Sequence, residues 1–205
     1  MWLMEIVLQI AILIMSAVLH EVAHGYVALA LGDPTAKLEG RLTLNPLKHL
    51  DPFGSVLLPL LMYISTAGGL MFGWAKPVPY NPYNLRKVNG PAYVALAGPA
   101  TNLVVAIIFG LIVRFGAGTL SPTFLSVATL IVVMNILLAV FNLIPLPPLD
   151  GSKVLAIFLP RQAQALEEFL SRYQLVVLLF ILFFGWQIIR WPVIWLSSLL
   201  LGGIV

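Results

Sequence analysis

The chain has 205 residues, 60% of them hydrophobic and 9% charged, against the roughly 25% charged residues of an ordinary water-soluble domain. Apolar runs recur along its whole length, which excludes a separate soluble domain and leaves one membrane domain over residues 1–205. The net charge of +3 does not indicate nucleic acid, because Lys and Arg sit in short connections between apolar runs, and the absence of cysteine excludes disulfides and thiolate ligands, leaving His and carboxylate for any metal.

The first apolar run covers residues 6–31 and is interrupted by polar groups only at Gln9, Ser16 and the cluster His20, Glu21, His24. It stops at Gly32-Asp33-Pro34. No basic segment precedes it and it exceeds a signal-peptide core, which predicts a retained segment. Residues 36–44 alternate, with Leu38, Leu42 and Leu44 on one side and Lys37, Glu39, Arg41 and Thr43 on the other, and predict a short β-element at the membrane surface. Residues 53–72 are apolar but carry Pro59 and Gly68-Gly69, and Pro77, Pro79, Pro82 and Pro91 punctuate the connection to the next apolar run. Further spans are predicted at 93–115, 123–144 and 174–189, with a short last one at 191–204 after Arg190. The fold class is an all-α polytopic membrane protein of about five to six transmembrane helices. There is no internal repeat.

The basic residues orient these spans. Lys37, Arg41 and Lys48 precede the 53–72 segment and Lys76, Arg86 and Lys87 come after it, so a simple crossing would put one cluster on the wrong side. A re-entrant hairpin or a paired crossing keeps both in the cytoplasm, and Lys153, Arg161 and Arg172 then return to that side. The expected N-terminus faces out, and the first span reaches the cytoplasm near Gly32. Lipid-facing and partner-facing apolar surfaces have the same composition, so the sequence sets no oligomeric state.

His20-Glu21-Val22-Ala23-His24 carries the chemistry. Imidazoles at i and i+4 are neighbours on one helix face and can close on a single zinc ion, with Glu21 placed as base for a water that the metal activates. Chance supplies roughly one such match in a thousand chains of this composition. Ionisable groups inside a span cost about 2.5–3.5 kcal/mol each on insertion scales. A bound cation compensates three of them within five positions. The alternative is a mutually hydrogen-bonded polar patch that joins helices.

A catalytic zinc wants three protein ligands and one open position. The residues after His24 lack the extended metzincin pattern. The remaining candidates are His49, Asp33, Glu39, Asp51, Asp150 and the pair Glu167-Glu168. Depth ranks Asp150 first: at about 1.5 Å per residue, His24 lies roughly 10 Å inside the membrane from Gly32, and Asp150 comes after the 123–144 span through a Pro-Leu-Pro-Pro-Leu break that returns towards the same side. The plain alternative is that Asp150 caps the helix that starts at Gly151, a role compatible with metal binding through its other oxygen.

With these residues in view, the chain resembles the site-2 protease family of intramembrane metalloproteases. His20-Glu21-Val22-Ala23-His24 matches the family's first motif, and the run from Asn142 to Asp150-Gly151 looks like its second, which ends in an aspartate ligand. Gly98-Pro99-Ala100-Thr101-Asn102 is similar to a further family element between them. The resemblance implies one Zn²⁺ per chain held by His20, His24 and Asp150, with Glu21 as general base and acid. It places Asn142 near the metal as oxyanion donor, Asn102 being a second candidate. The short chain leaves no room for the PDZ domain of larger members and is expected to be a compact type, and with the basic connections it fits a cell's cytoplasmic membrane with the site nearer the cytoplasmic face. The implied partners are the bilayer and a transmembrane segment of another protein. That segment must be unwound before a carbonyl is reached, because a helix hides its carbonyls in its own hydrogen bonds, and the edge of the 36–44 strand is expected to hold it extended. Two rivals are a membrane zincin using Glu167 or Glu168 as ligand, and a metal transporter, in which Glu21 would not matter selectively.

Overall fold

The computed structural model describes residues 2–51, 76–116, 118–159, 168–170 and 172–202, together with Gly54, Leu57, Leu61, Ile64 and Ala165. The helices among them are α1 (Trp2–Ala30), α2 (Thr35–Leu38), α3 (Gly90–Gly116), α4 (Pro122–Asn142), α5 (Asp150–Phe158) and α6 (Gln174–Leu201), with 3₁₀ turns at Pro46–Lys48 and Pro82–Asn84. Helices over Met4–Ala30, Gly90–Gly116 and Pro122–Asn142 are long and apolar enough to cross a membrane, as the runs at 6–31, 93–115 and 123–144 predict. A helix satisfies its backbone groups internally, which is the condition for an apolar run in lipid. Gly54, Leu57, Leu61 and Ile64 apart, the expected re-entrant segment at 53–72, with Pro59, Gly68 and Gly69, lies outside the described residues.

Local chemistry sets the helix ends. Ser121 caps α4 by accepting the Phe124 N–H at 3.3 Å, and Pro122 stands where no backbone donor is needed. At the end of α1, Gly32 adopts a φ of 111°, open to glycine and costly for other residues. The turn leads into Asp33, whose carboxylate accepts hydrogen bonds from Thr35 N and Oγ1, Asn81 N and Asn84 Nδ2.

Two expectations are corrected here. Residues 36–44 do not form a strand: Thr35–Leu38 is a helical turn, and no strand occurs among the described residues. The Asp33 carboxylate bonds both donors of Thr35 and starts that turn locally, which overrides the alternation. The supposed inner side is not an inner side, since Leu38 is 80% and Leu44 53% exposed. The second correction concerns 174–189 and 191–204, expected as two spans and found as one helix, α6. Arg190 breaks the apolar run without breaking the backbone. Its guanidinium lies 5.1 Å from the Trp191 ring, and the helix continues through Pro192.

α3 is the central helix, packed against α1, α4, α5 and α6. Small residues allow this: Ala95, Gly98, Ala106 and Gly110 are buried along it, as expected where close packing replaces the hydrophobic effect between helices in lipid. Ala106 and Val113 of α3 join Ala128, Val132 and Ile136 of α4 and Ile189, Val193 and Leu201 of α6 in an apolar core. The other end of α3, around Gly98 and Asn102, meets α1 and the polar residues.

Candidate metal centre

His20 and His24 lie one turn apart on α1, 6% and 8% exposed, with ring centroids 4.6 Å apart and planes at 86°. Two imidazoles fit beneath α3 because residue 98 has no side chain. A Cβ there would fall 2.5 Å from His20 Cε1, His20 Nε2 and His24 Nε2.

α5 supplies the carboxylate. The chain turns after α4 through Pro145, Pro147 and Pro148 and makes Asp150 the first residue of α5, whose cap is Leu149 and carries no side-chain cap bond. Asp150 therefore does not cap its helix. Its Oδ2 lies 3.1 Å from His20 Nε2 and 3.2 Å from His24 Nε2, at a helix start where the backbone favours an anion.

The far sides of the rings decide which nitrogens carry protons. His24 Nδ1–H donates to the Val94 carbonyl at 2.6 Å, and a carbonyl can only accept. His20 Nδ1–H donates to Asn102 Oδ1 at 2.6 Å. In neutral rings both Nε2 atoms are then bare and face the same carboxylate oxygen. Two nitrogens and one carboxylate oxygen are a zinc donor set, and edges of 3.1 and 3.2 Å approach the about 3.3 Å edge of a tetrahedron with 2.0–2.1 Å bonds. His20, Glu21 and His24 form a group able to hold a metal ion, with ligand atoms within 4.8 Å of one another.

Glu21 is partly exposed towards a cleft of about 200 Å³, lined also by Pro77, Val78, Tyr80, Asn142, Asp150 and Lys153. Its Oε2 accepts the Val78 N–H at 2.8 Å. Asn142 reaches the cleft from the end of α4, with Nδ2 donating back to the Leu138 carbonyl at 2.9 Å. Lys153 Nζ stands 5.2 Å from the Tyr80 ring centroid.

The structure thus joins His20, Glu21, His24, Asn142 and Asp150 at one cleft and separates the other candidates from it. Asn102 is fully buried, and its amide nitrogen donates to Asn135 and to the Ser16 carbonyl, so it offers no donor to a substrate. His49 donates Nε2–H to the Thr43 carbonyl at 2.8 Å and does not line the cleft. Asp33 is engaged by four donors, Glu39 is exposed, and Asp51 accepts the Gly54 N–H. Glu168 lines a separate hollow with Arg172 and Tyr173, while Glu167 lies outside the described residues. Sequence reasoning missed Val78, Val94 and Asn135. The first two act through backbone atoms, which leave no residue-type signature; Asn135 is an amide in the middle of an apolar run, a signal in itself.

The model of Peptidase family M50 matches residues 117–184. A Bacillus subtilis protein provisionally named zinc metalloprotease YwhC is 39% identical over 192 residues, covering 89% of this chain and 83% of the relative. Proteins provisionally named zinc metalloprotease Rip2 are similar too: that of Mycolicibacterium smegmatis is 35% identical over 71% of this chain and 54% of its own length. The Rip2 of Mycobacterium tuberculosis is 29% identical over 94% of this chain and 74% of its own length. No solved structure gives a significant match.

Proposed function

The chain belongs to peptidase family M50, the site-2 protease family, and we propose from that premise that it is a multi-pass zinc protease of the cytoplasmic membrane. It hydrolyses peptide bonds in or near transmembrane segments of other proteins, in regulated intramembrane proteolysis. One observation carries the assignment of its centre. Asp150 Oδ2 sits 3.1 and 3.2 Å from the Nε2 atoms of His20 and His24, while both rings spend their Nδ1 protons on acceptors behind them.

In this reading His20, His24 and Asp150 hold one Zn²⁺ per chain. When bound, zinc supplies Lewis acidity that lowers the pKa of a coordinated water towards 7 and polarises the scissile carbonyl. Glu21, steadied by the Val78 N–H, takes a proton from the attacking water and returns it to the amide nitrogen as the C–N bond breaks, leaving a carboxyl and an amine. Asn142 lines the same cleft and donates its second amide hydrogen to the developing oxyanion. The substrate enters as an unwound stretch, since a helical one keeps its carbonyls bonded. The basic clusters at Lys37, Arg41 and Lys48 and at Lys76, Arg86 and Lys87 support a site nearer the cytoplasmic face.

Zinc content and cleavage of a panel of transmembrane substrates in detergent test this, comparing the unmutated protein with Glu21→Gln and Asp150→Ala. The expected result is a zinc-loaded but inactive Glu21→Gln and a zinc-depleted Asp150→Ala. Full activity in Glu21→Gln, or an unmutated protein without zinc affinity, would overturn the proposal.

A further inference from the structure

Behind His20 runs a chain of side-chain amides that touches neither the cleft nor the carboxylate. Asn135 of α4 donates Nδ2–H to the Ile131 carbonyl and to Ser16 Oγ, both at 2.9 Å. Its Oδ1 accepts from Asn102 Nδ2 at 2.8 Å, and the same Asn102 nitrogen approaches the Ser16 carbonyl at 3.4 Å. Asn102 Oδ1 then accepts His20 Nδ1–H at 2.6 Å. Both asparagines are 0% exposed and Ser16 is 4% exposed.

The direction of this chain is enforced from its far end. A backbone carbonyl accepts and never donates, so Ile131 fixes which end of the Asn135 amide is nitrogen. That orientation aims Asn135 Oδ1 at Asn102, and with the Ser16 carbonyl it fixes the Asn102 amide in turn. Reversing Asn102 would set its oxygen against two acceptors and its NH₂ against His20. The ring proton would then have to move to Nε2, the atom facing Asp150. His24 needs no such relay, because the Val94 carbonyl meets its Nδ1 directly.

We propose that Asn102, Asn135 and Ser16 are positioning residues for His20, a relay from the Ile131 carbonyl that keeps the ring proton on Nδ1 and Nε2 bare towards the metal. The relay rests on the zinc-binding reading of this site. It differs from simple joining of helices, the common use of buried amides in membranes, in that its polarity matters and not only its presence. Groups behind a ligating imidazole typically change metal affinity by about 10- to 100-fold.

The test is a zinc dissociation constant by chelator competition on the full chain in detergent, with melting of the metal-free protein recorded beside it. Asn135→Leu is expected to weaken zinc binding about 10-fold without lowering the metal-free melting temperature. Asn102→Asp presents acceptor oxygens in either orientation, so the loss caused by Asn135→Leu is expected to vanish in that background. An unchanged dissociation constant in Asn135→Leu, an equal loss in both backgrounds, or a loss that only tracks melting would overturn the relay while leaving the metal reading intact. An unmutated protein that binds no zinc would overturn the metal reading and the relay with it. ¹⁵N histidine spectra of the zinc-loaded, unmutated protein need no folding variant. Coordination of His20 through Nε2 with its proton on Nδ1 is expected, and coordination through Nδ1 would overturn the proposal.

Discussion

The backbone N–H of Val78 donates to Glu21 Oε2 at 2.8 Å, so the carboxylate assigned as base is held by a segment 57 residues away in sequence. That segment is itself tied down. Arg41, 5% exposed, donates Nη2 to the carbonyls of Lys76 and Pro77 at 2.8 and 3.2 Å, and Asn81 N–H donates to Asp33 Oδ2 at 2.7 Å. Pro77 and Pro79 have no N–H, which leaves Val78 as the donor between them. One wall of the cleft therefore steadies Glu21 through a single atom.

Removing that atom should uncouple chemistry from metal binding. Val78→Pro deletes the donor in a segment that is neither helix nor strand. A hydrogen bond to a charged group is worth about 1.5–3 kcal/mol, so kcat is expected to fall about 10- to 100-fold with zinc content unchanged. Val78→Ala keeps the N–H and should retain most of the activity. Equal losses in the two variants would assign the effect to packing at residue 78 instead.

Gly98→Ala should act on the metal. Its added methyl would fall 2.5 Å from three imidazole atoms, and the helix carrying it also carries Asn102 one turn on. Moving α3 away to relieve the clash would pull Asn102 from His20. Zinc affinity is expected to fall at least about 10-fold, with helix content and membrane insertion unchanged. Gly118→Ala, where an added Cβ meets nothing within 4 Å, serves as the neutral control. Normal zinc binding by Gly98→Ala would show that the rings and α3 separate freely.

Asn142→Ala distinguishes an oxyanion donor from a helix-end residue. Loss of one such donor costs about 10²–10³ in kcat in proteases that use a side-chain amide, and a fall of about 100-fold with zinc content unchanged is expected here. If Asn142 serves only its bond to the Leu138 carbonyl, the variant will melt differently and cleave at the normal rate.

The residues that meet at the cleft were legible because their chemistry lies in residue type and spacing. Two imidazoles at i and i+4 with Glu21 beside them have few other uses in an apolar span, and Asp150 comes directly after a proline-dense break at the end of a span. Ranking Asp150 by depth needed only helix rise and the direction of the chain. Val78 and Val94 were not legible, since any residue with a backbone N–H or carbonyl serves their purpose. The 36–44 alternation misled because near a membrane an apolar residue need not be buried by the protein, as Leu38 and Leu44 are not. Arg190 misled in the opposite way: charge ends a hydropathy window but leaves the α6 backbone helical.

Asp33 offers a pH-dependent test of the wall beside Glu21. Burial pushes its carboxyl up, but hydrogen bonds from Thr35, Asn84 and Asn81 outweigh this and hold it below the usual carboxylate range. The folded state then binds this proton less readily than the unfolded chain. The contribution to stability is present in full above the ordinary carboxylate value of about 3.9 and is lost as pH falls from there through the lower folded value. Asp33→Asn replaces one acceptor oxygen by an NH₂ among four donors, and a loss of about 1–3 kcal/mol is expected near neutral pH. In melting experiments in detergent, the gap between the unmutated protein and Asp33→Asn should therefore narrow as pH is lowered from 7 towards 3. A gap that stays constant over that range would mean that the charge of Asp33 contributes nothing and that only the shape of its hydrogen-bond cluster matters.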